Sequence, residues 1–254
     1  MIVRTNEEYA ALCEGGRRLA NILRQLKAKV IPGVSTLDIE DEAKRLIAAH
    51  GDMPAFLGYT PSGSARPYPA AACVSINEEI VHGIPNEKPK IFRDGDVVSV
   101  DVGIIHQGLV TDAAVVAVAG KGSKEDHKLV RAVEEALREA ILMVRAGGHV
   151  GDIGNAVERV AKKYGLGIPR ELGGHGVGRS VHEEPFIPNW GRRGTGELLE
   201  KGMVLAIEPM FALGSGDVEL AGDGYTYVTK DGSKTAQIEH TVLVTEKQAE
   251  ILTK

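Results

Sequence analysis

Apolar residues recur along this chain first at a helical period and then at a strand period, and the same order then comes round again. Leu12, Gly16, Leu19, Leu23 and Leu26 fall on one face of a helix running through about Lys27, with Thr5 and Glu8 reading as its capping box. Ile31-Pro32-Gly33 breaks the chain, and Ser35-Thr36 restart it as a helix to His50, closed by Gly51. A loop rich in Pro, Gly, Ser and Ala leads to a strand near Ala72–Ile76. Further on, Ser123 and Asp126 open a second long helix in which Leu129, Val133, Leu137, Ile141 and Val144 keep helical spacing up to Gly147-Gly148. Another helix is predicted from about Val150 to Tyr164. Strands follow near Met203–Pro209, Tyr225–Lys230 and Ala236–Val244, with Asp231-Gly232 as the hairpin turn between the last two.

Between the two rounds lies VVSVDVGIIHQGLVTD, from Val97 to Asp112. Asp is disfavoured inside strands, yet Asp101 and Asp112 are each embedded in small apolar residues. If the two arms pair through a two-residue turn at 106–107 or 107–108, side-chain alternation puts both carboxylates on one side. Two carboxylates about 4 Å apart repel by roughly 4 kcal/mol at an effective dielectric near 20, so they need a shared proton or a cation. The alternative is that one Asp caps a turn and the other is solvated.

The repeat sharpens this reading. Gly33, Asp38, Ile39, Arg45 and Gly51 recur 114 residues later as Gly147, Asp152, Ile153, Arg159 and Gly165. Gly95-x-Val-Val-x-Val-Asp101 is likewise similar to Gly202-x-Val-Leu-x-Ile-Glu208. The chain then reads as a single domain, 1–254, built from pseudo-repeat halves of about 5–120 and 121–250. A pseudo-twofold axis would bring Asp101 and Asp112 to face Glu208 and Glu239. Four converging carboxylates with His175 among them suggest a pair of divalent metals with mixed oxygen and nitrogen ligands. A phosphate cradle at Gly173-Gly-His-Gly-Val-Gly178 is the weaker reading, because no strand–glycine–helix frame surrounds those glycines.

Composition narrows the class. A length of 254 residues, 43% hydrophobic and 26% charged, suits a soluble globular protein with a real core. The net charge of -5 gives no attraction to nucleic acid or to an anionic membrane. Cys13 and Cys73 form neither a disulfide framework nor a metal motif, no run is long enough for a membrane span, and no signal peptide is evident. The expected location is cytoplasmic.

Taken together, Val-His82-Gly-Ile-Pro, Asp101 with Asp112, Gly-His175-Gly-Val-Gly, His182-Glu-Glu-Pro, Ile-Glu208-Pro and Gln-Ile-Glu239-His-Thr resemble type I methionine aminopeptidase in its short, bacterial-type form. The resemblance runs from about Thr5 to Val244. It implies an α+β "pita-bread" fold, a pseudo-twofold antiparallel β-sheet covered by helices on one side. It implies Asp101, Asp112, His175, Glu208 and Glu239 as ligands of two divalent ions (Co, Mn, Fe(II) or Zn), with Asp112 and Glu239 bridging. The implied activity is removal of the N-terminal methionine from nascent proteins by a metal-bridged hydroxide, one ion anchoring the free α-amine. Glu208 would also carry a proton, His182 would stabilise the oxyanion, and His82 would bind the scissile amide. A monomer with transient ribosome association fits that task.

Cys73 and Tyr225 match pocket positions of that family, whereas Val181 stands where an aromatic residue is common and the loop Gly58–Pro69 looks long. A wider or reshaped pocket for the first residue is therefore expected. The alternatives are an X-Pro aminopeptidase or prolidase of the same fold, and a non-catalytic binding protein that kept the fold.

Overall fold

The computed structural model of the chain describes residues 1–61 and 63–254. The first round comprises α1 (Asn6–Ala28), α2 (Thr36–Ala49), β1 (Met53–Pro54), β2 (Ala72–Ile76), β3 (Glu79–Val81), β4 (Val97–His106) and β5 (Leu109–Val118). The second comprises α3 (Lys124–Met143), α4 (Val150–Tyr164), β6 (Gly173–Gly176), β7 (Glu183–Pro188), β8 (Val204–Ile207), β9 (Met210–Ala212), β10 (Val218–Leu220), β11 (Tyr227–Thr229), β12 (Thr235–Gln237), β13 (His240–Val244) and β14 (Ala249–Ile251). Among the described residues every strand pairing is antiparallel.

Helix caps follow the predicted signals with two differences. Thr5 accepts from the Glu8 backbone N–H, but the Glu8 carboxylate takes the Arg4 N–H instead of closing the box. Helix α3 stops at Met143, short of Gly147, because Val144 turns to an extended conformation and is fully buried. The full capping boxes are at Ser35–Asp38 and Ser123–Asp126.

The β4–β5 hairpin closes through Gln107 and Gly108, with φ of 49° and 79°, and His106 pairs with Leu109. Positive φ at both turn positions is the two-residue geometry that matches strand twist. Register then follows: Asp101 pairs with Ala114, and Gly103 with Asp112. Val98, Val100, Val102 and Ile104 all point into one apolar cluster, packed with Leu19, Ile22 and Leu26 of α1 and Ile39 and Ile47 of α2. Each such side chain, fully buried, contributes about 1.5–3 kcal/mol. Asp101 and Asp112 are left on the opposite face. The hairpin end is fastened to α1: His106 Nδ1 lies 2.8 Å from Asp52 Oδ1, and Arg18 Nη1 reaches the same carboxylate at 3.1 Å.

A second cluster joins Leu129, Val133 and Leu137 of α3 to Ile153 and Val157 of α4 and to Leu205, Ile207 and Val242. A third takes residues from both rounds, among them Leu12, Phe56, Tyr68, Cys73, Val181 and Tyr225.

The C-terminal strands differ from expectation. Asp231-Gly232 does make a turn, but the strands around it do not pair with each other: β11 joins β10 and β3, and β12 joins β9. The Asp231 carboxylate accepts from the Ser215 and Ser233 N–H groups and so directs the chain toward β9. The predicted strand 236–244 is also broken, at Ile238-Glu239, where Glu239 instead bridges to Ala114 of β5. That break ties the two larger sheets together. No helix among the described residues is long and apolar enough to cross a membrane.

Candidate active site

Where the sheets meet, Asp101 on β4, Asp112 on β5, His175 on β6, Glu208 just after β8 and Glu239 between β12 and β13 line one cavity. All five are buried. One ligand atom each from Asp112, His175 and Glu239 lie within 4.8 Å of one another. Glu208 Oε1 is 3.5 Å from His175 Nε2. Gln237 Nε2 donates to Glu208 Oε2 at 3.2 Å and, more loosely, to Asp101 Oδ2 at 3.5 Å.

Glycine makes the His175 position possible. A Cβ on Gly174 would stand 2.2 Å from the Ala206 carbonyl oxygen, and one on Gly176 would stand 2.1 Å from that of Glu184. With neither Cβ present, β6 lies close against its neighbours and carries the imidazole to the carboxylates. His175 Nδ1 is 2.9 Å from the Gly176 carbonyl oxygen, which can only accept. The ring proton is therefore on Nδ1, leaving the lone pair of Nε2 directed at the acidic groups.

The electrostatics are severe. Burial pushes Asp101 up to about 7. It pushes Asp112, Glu208 and Glu239 well above the usual carboxylate range, and their mutual repulsion adds to the effect. Asp101 Oδ1, Asp112 Oδ1 and Glu239 Oε1 are buried with no hydrogen-bond partner among the described residues. Orphaned acceptors of this kind, set beside a bare imidazole nitrogen, fit divalent cations.

His82 and His182 flank the carboxylates and line both this cavity and an adjoining cleft. His82 has φ of 60°, uncommon outside glycine. Burial lowers its pKa to about 4; it lowers that of His175 to about 3 and that of His182 also, so all three rings are neutral near pH 7. The His175 and His182 rings meet edge to face at 4.5 Å.

The far wall is apolar. Phe56, Tyr59, Pro61, Tyr68, Cys73, Val181 and Tyr225 line it, and burial pushes the Cys73 thiol well up, keeping it neutral. Glu40 on α2, fully buried, accepts from the Ala71 and Ala72 N–H groups and so fixes the start of the strand that carries Cys73. The cavity holds about 50 Å³, and Phe56, Tyr59 and Tyr68 line it together with Val181. These three and Gln237 are site residues that sequence reasoning did not single out. Their only signal was aromatic content near the loop for the first three and, for Gln237, a place two residues before Glu239.

The profile of metallopeptidase family M24 matches residues 10–246. The chain belongs to metallopeptidase family M24. Within family M24 it is 46% identical over 253 residues to a methionine aminopeptidase of Aquifex aeolicus, covering 98% of this chain and 97% of that protein. The crystal structure of a methionine aminopeptidase from Thermotoga maritima superposes with a TM-score of 0.94 at 43% identity, covering all of both chains. A prolidase from Pyrococcus furiosus shares the M24 fold, with a TM-score of 0.76 at 21% identity over 65% of its own length.

Proposed function

We propose that this chain is a methionine aminopeptidase of the short bacterial type, removing the N-terminal methionine of nascent proteins in the cytoplasm. The observation that carries the reading is the buried Asp112–His175–Glu239 donor group at the end of a narrow apolar cavity. Asp101, Asp112, His175, Glu208 and Glu239 are the residues that would hold two divalent ions, drawn from Co, Mn, Fe(II) and Zn. Such ions, when bound, act as Lewis acids that polarise a carbonyl and acidify water at neutral pH.

The chain's own groups do the rest. Cys73, Val181 and Tyr225, with the aromatic residues of the same wall, take the first side chain. The wider cleft of about 480 Å³ shares His82, His175, His182 and Glu208 with that cavity and has room for the remaining peptide. His182 donates to the oxygen on which charge develops as the carbonyl is attacked. His82 hydrogen-bonds the scissile amide, and Glu208 accepts a proton and passes it to the leaving nitrogen. The halves 5–120 and 121–250 are read as a pseudo-repeat, supported by the α–α–β order in each and by the 114-residue offset from Thr36 of α2 to Val150 of α4.

The test is hydrolysis of tripeptides by protein reconstituted with each candidate metal in turn. Met-Ala-Ser is expected to be cleaved after its first residue, and Ala-Pro-type peptides are expected to be inert. Turnover of the Ala-Pro peptides alone would favour the prolidase reading, and no turnover with any metal would favour the binding protein.

A further inference from the structure

Among the described residues, no carboxylate or backbone carbonyl holds His182. Its Nδ1 lies 3.1 Å from the hydroxyl of Tyr59, whose ring stands 5.5 Å from the imidazole. Tyr59 and His182 are 123 residues apart and meet only through the tertiary fold. Among the described residues neither the Tyr59 hydroxyl nor His182 Nε2 has another hydrogen-bond partner. Tyr59 is itself fastened on its backbone side, where its carbonyl accepts from the Tyr68 N–H at 2.8 Å. Its N–H donates to the Phe56 carbonyl at 2.9 Å. The loop between Tyr59 and Tyr68 is anchored at its far end by the Tyr225 hydroxyl, which donates to the Arg66 carbonyl. Tyr59 thus holds its hydroxyl, from a fixed backbone, beside one particular nitrogen.

A neutral imidazole carries one proton, and the nitrogen that carries it is set by the partner of the other nitrogen. A phenol that donates to Nδ1 satisfies both groups and places the ring proton on Nε2. The reverse arrangement, with an Nδ1–H donating to the phenol, leaves the phenolic proton to solvent and Nε2 bare, an acceptor that cannot donate to a carbonyl oxygen. We infer that Tyr59 is a positioning residue: its hydroxyl donates to His182 Nδ1, locks the Nε2–H tautomer, and so makes His182 a hydrogen-bond donor toward the reacting carbonyl. The inference rests on the reading of His182 as that donor, and it adds a role for Tyr59 beyond its place in the cavity wall.

Tyr59→Phe separates the two roles, because it keeps the ring in the wall and removes only the hydroxyl. With Met-Ala-Ser, kcat is expected to fall about tenfold, since removing one donor to an oxyanion outright costs roughly a hundredfold or more. KM is expected to stay within about twofold, because the ring still meets the first side chain. In a His182→Ala background, Tyr59→Phe should cause no further loss.

The spectroscopic signature is the ring ¹⁵N shifts of His182, assigned by their absence in His182→Ala. They are recorded on metal-free protein and on protein loaded with diamagnetic Zn²⁺. Wild type should show Nδ1 in the range of an acceptor nitrogen and Nε2 in the range of a protonated one, and Tyr59→Phe should draw the two together. An Nδ1–H tautomer in wild type, an unchanged kcat in Tyr59→Phe, or an equal loss with His182 absent would each overturn the proposal. Failure of the wild-type enzyme to cleave Met-Ala-Ser would overturn the functional reading instead, and the ¹⁵N comparison would still decide the role of Tyr59.

Discussion

Asp112 and Thr241 are locked together across 129 residues of sequence: the Thr241 hydroxyl accepts from the Asp112 N–H at 2.9 Å and donates to the Asp112 carbonyl at 2.6 Å. Thr241 is fully buried on β13, and Asp112 lies on β5. One hydroxyl thus satisfies both backbone groups of a candidate ligand and ties the hairpin to the C-terminal sheet.

Replacing Thr241 with Val preserves shape and strands both backbone groups. Two unsatisfied buried groups cost about 2–5 kcal/mol together. For a chain of this length that is a fall in Tm of roughly 5–15 °C. Thr241→Ser keeps the hydroxyl and should stay far closer to wild type. Calorimetry on the pair decides the point: equal melting of the Val and Ser variants would remove the lock.

Asp112→Asn keeps the shape of a protonated carboxyl and removes the charge. At pH 6, without metal, its Tm should lie within about 3 °C of wild type, the equivalent of roughly 1 kcal/mol. Added Mn²⁺ or Co²⁺ should raise the melting temperature of wild type but not of the variant, because binding to the folded state alone is what stabilises it. A full metal-induced rise in Asp112→Asn would exclude Asp112 from the ligand set.

The raised carboxyl pKa values give the metal-free protein a particular pH dependence. Unfolded, these groups lose their protons near pH 4. Folded, they keep them to higher pH, Asp101 to about 7 and Asp112, Glu208 and Glu239 beyond the usual range. The folded state therefore binds the extra protons, and stability is lost as pH rises through the folded values. The lowered histidines, His82, His175, His182 and His240, act in the opposite sense. Their effect is confined below about pH 6.5, where an unfolded histidine gains its proton. From pH 6.5 to 8.5 the Tm of chelator-treated protein should fall, and saturating metal should flatten the curve. A rising metal-free curve in that window would mean that the carboxyls are ionised without help.

Tyr225 closes the cavity, edge-on to Tyr68 at 5.1 Å. Tyr225→Ala should lower kcat/KM for Met-initiated peptides and raise the ratio of Phe- to Met-initiated cleavage by about tenfold or more, since even one methylene in such a pocket is worth about 1–3 kcal/mol. An unchanged ratio over the tripeptide panel would place Tyr225 outside the specificity wall.

The hairpin and its two aspartates were legible in the sequence because every rule involved is local. A Gln-Gly turn of two residues fixes register, and alternation along a strand fixes which side chains share a face. The helices were legible for the same reason, through their caps and apolar stripes. Local rules failed at Asp231-Gly232, where turn chemistry was read correctly but the choice of partner strand was not. They also failed at Glu239, where an apparently continuous strand breaks so that one residue can bridge two sheets.

The sequence by itself determined which residues carry charge amid apolar neighbours, and with them the expectation of a shared proton or a cation. Only the tertiary structure decided that Gln237 spans Asp101 and Glu208, that Thr241 clasps Asp112, and that Tyr59 reaches His182. Those contacts join residues from 29 to 136 positions apart. No periodicity or spacing encodes such pairs, because each depends on how separate sheets settle against a shared core.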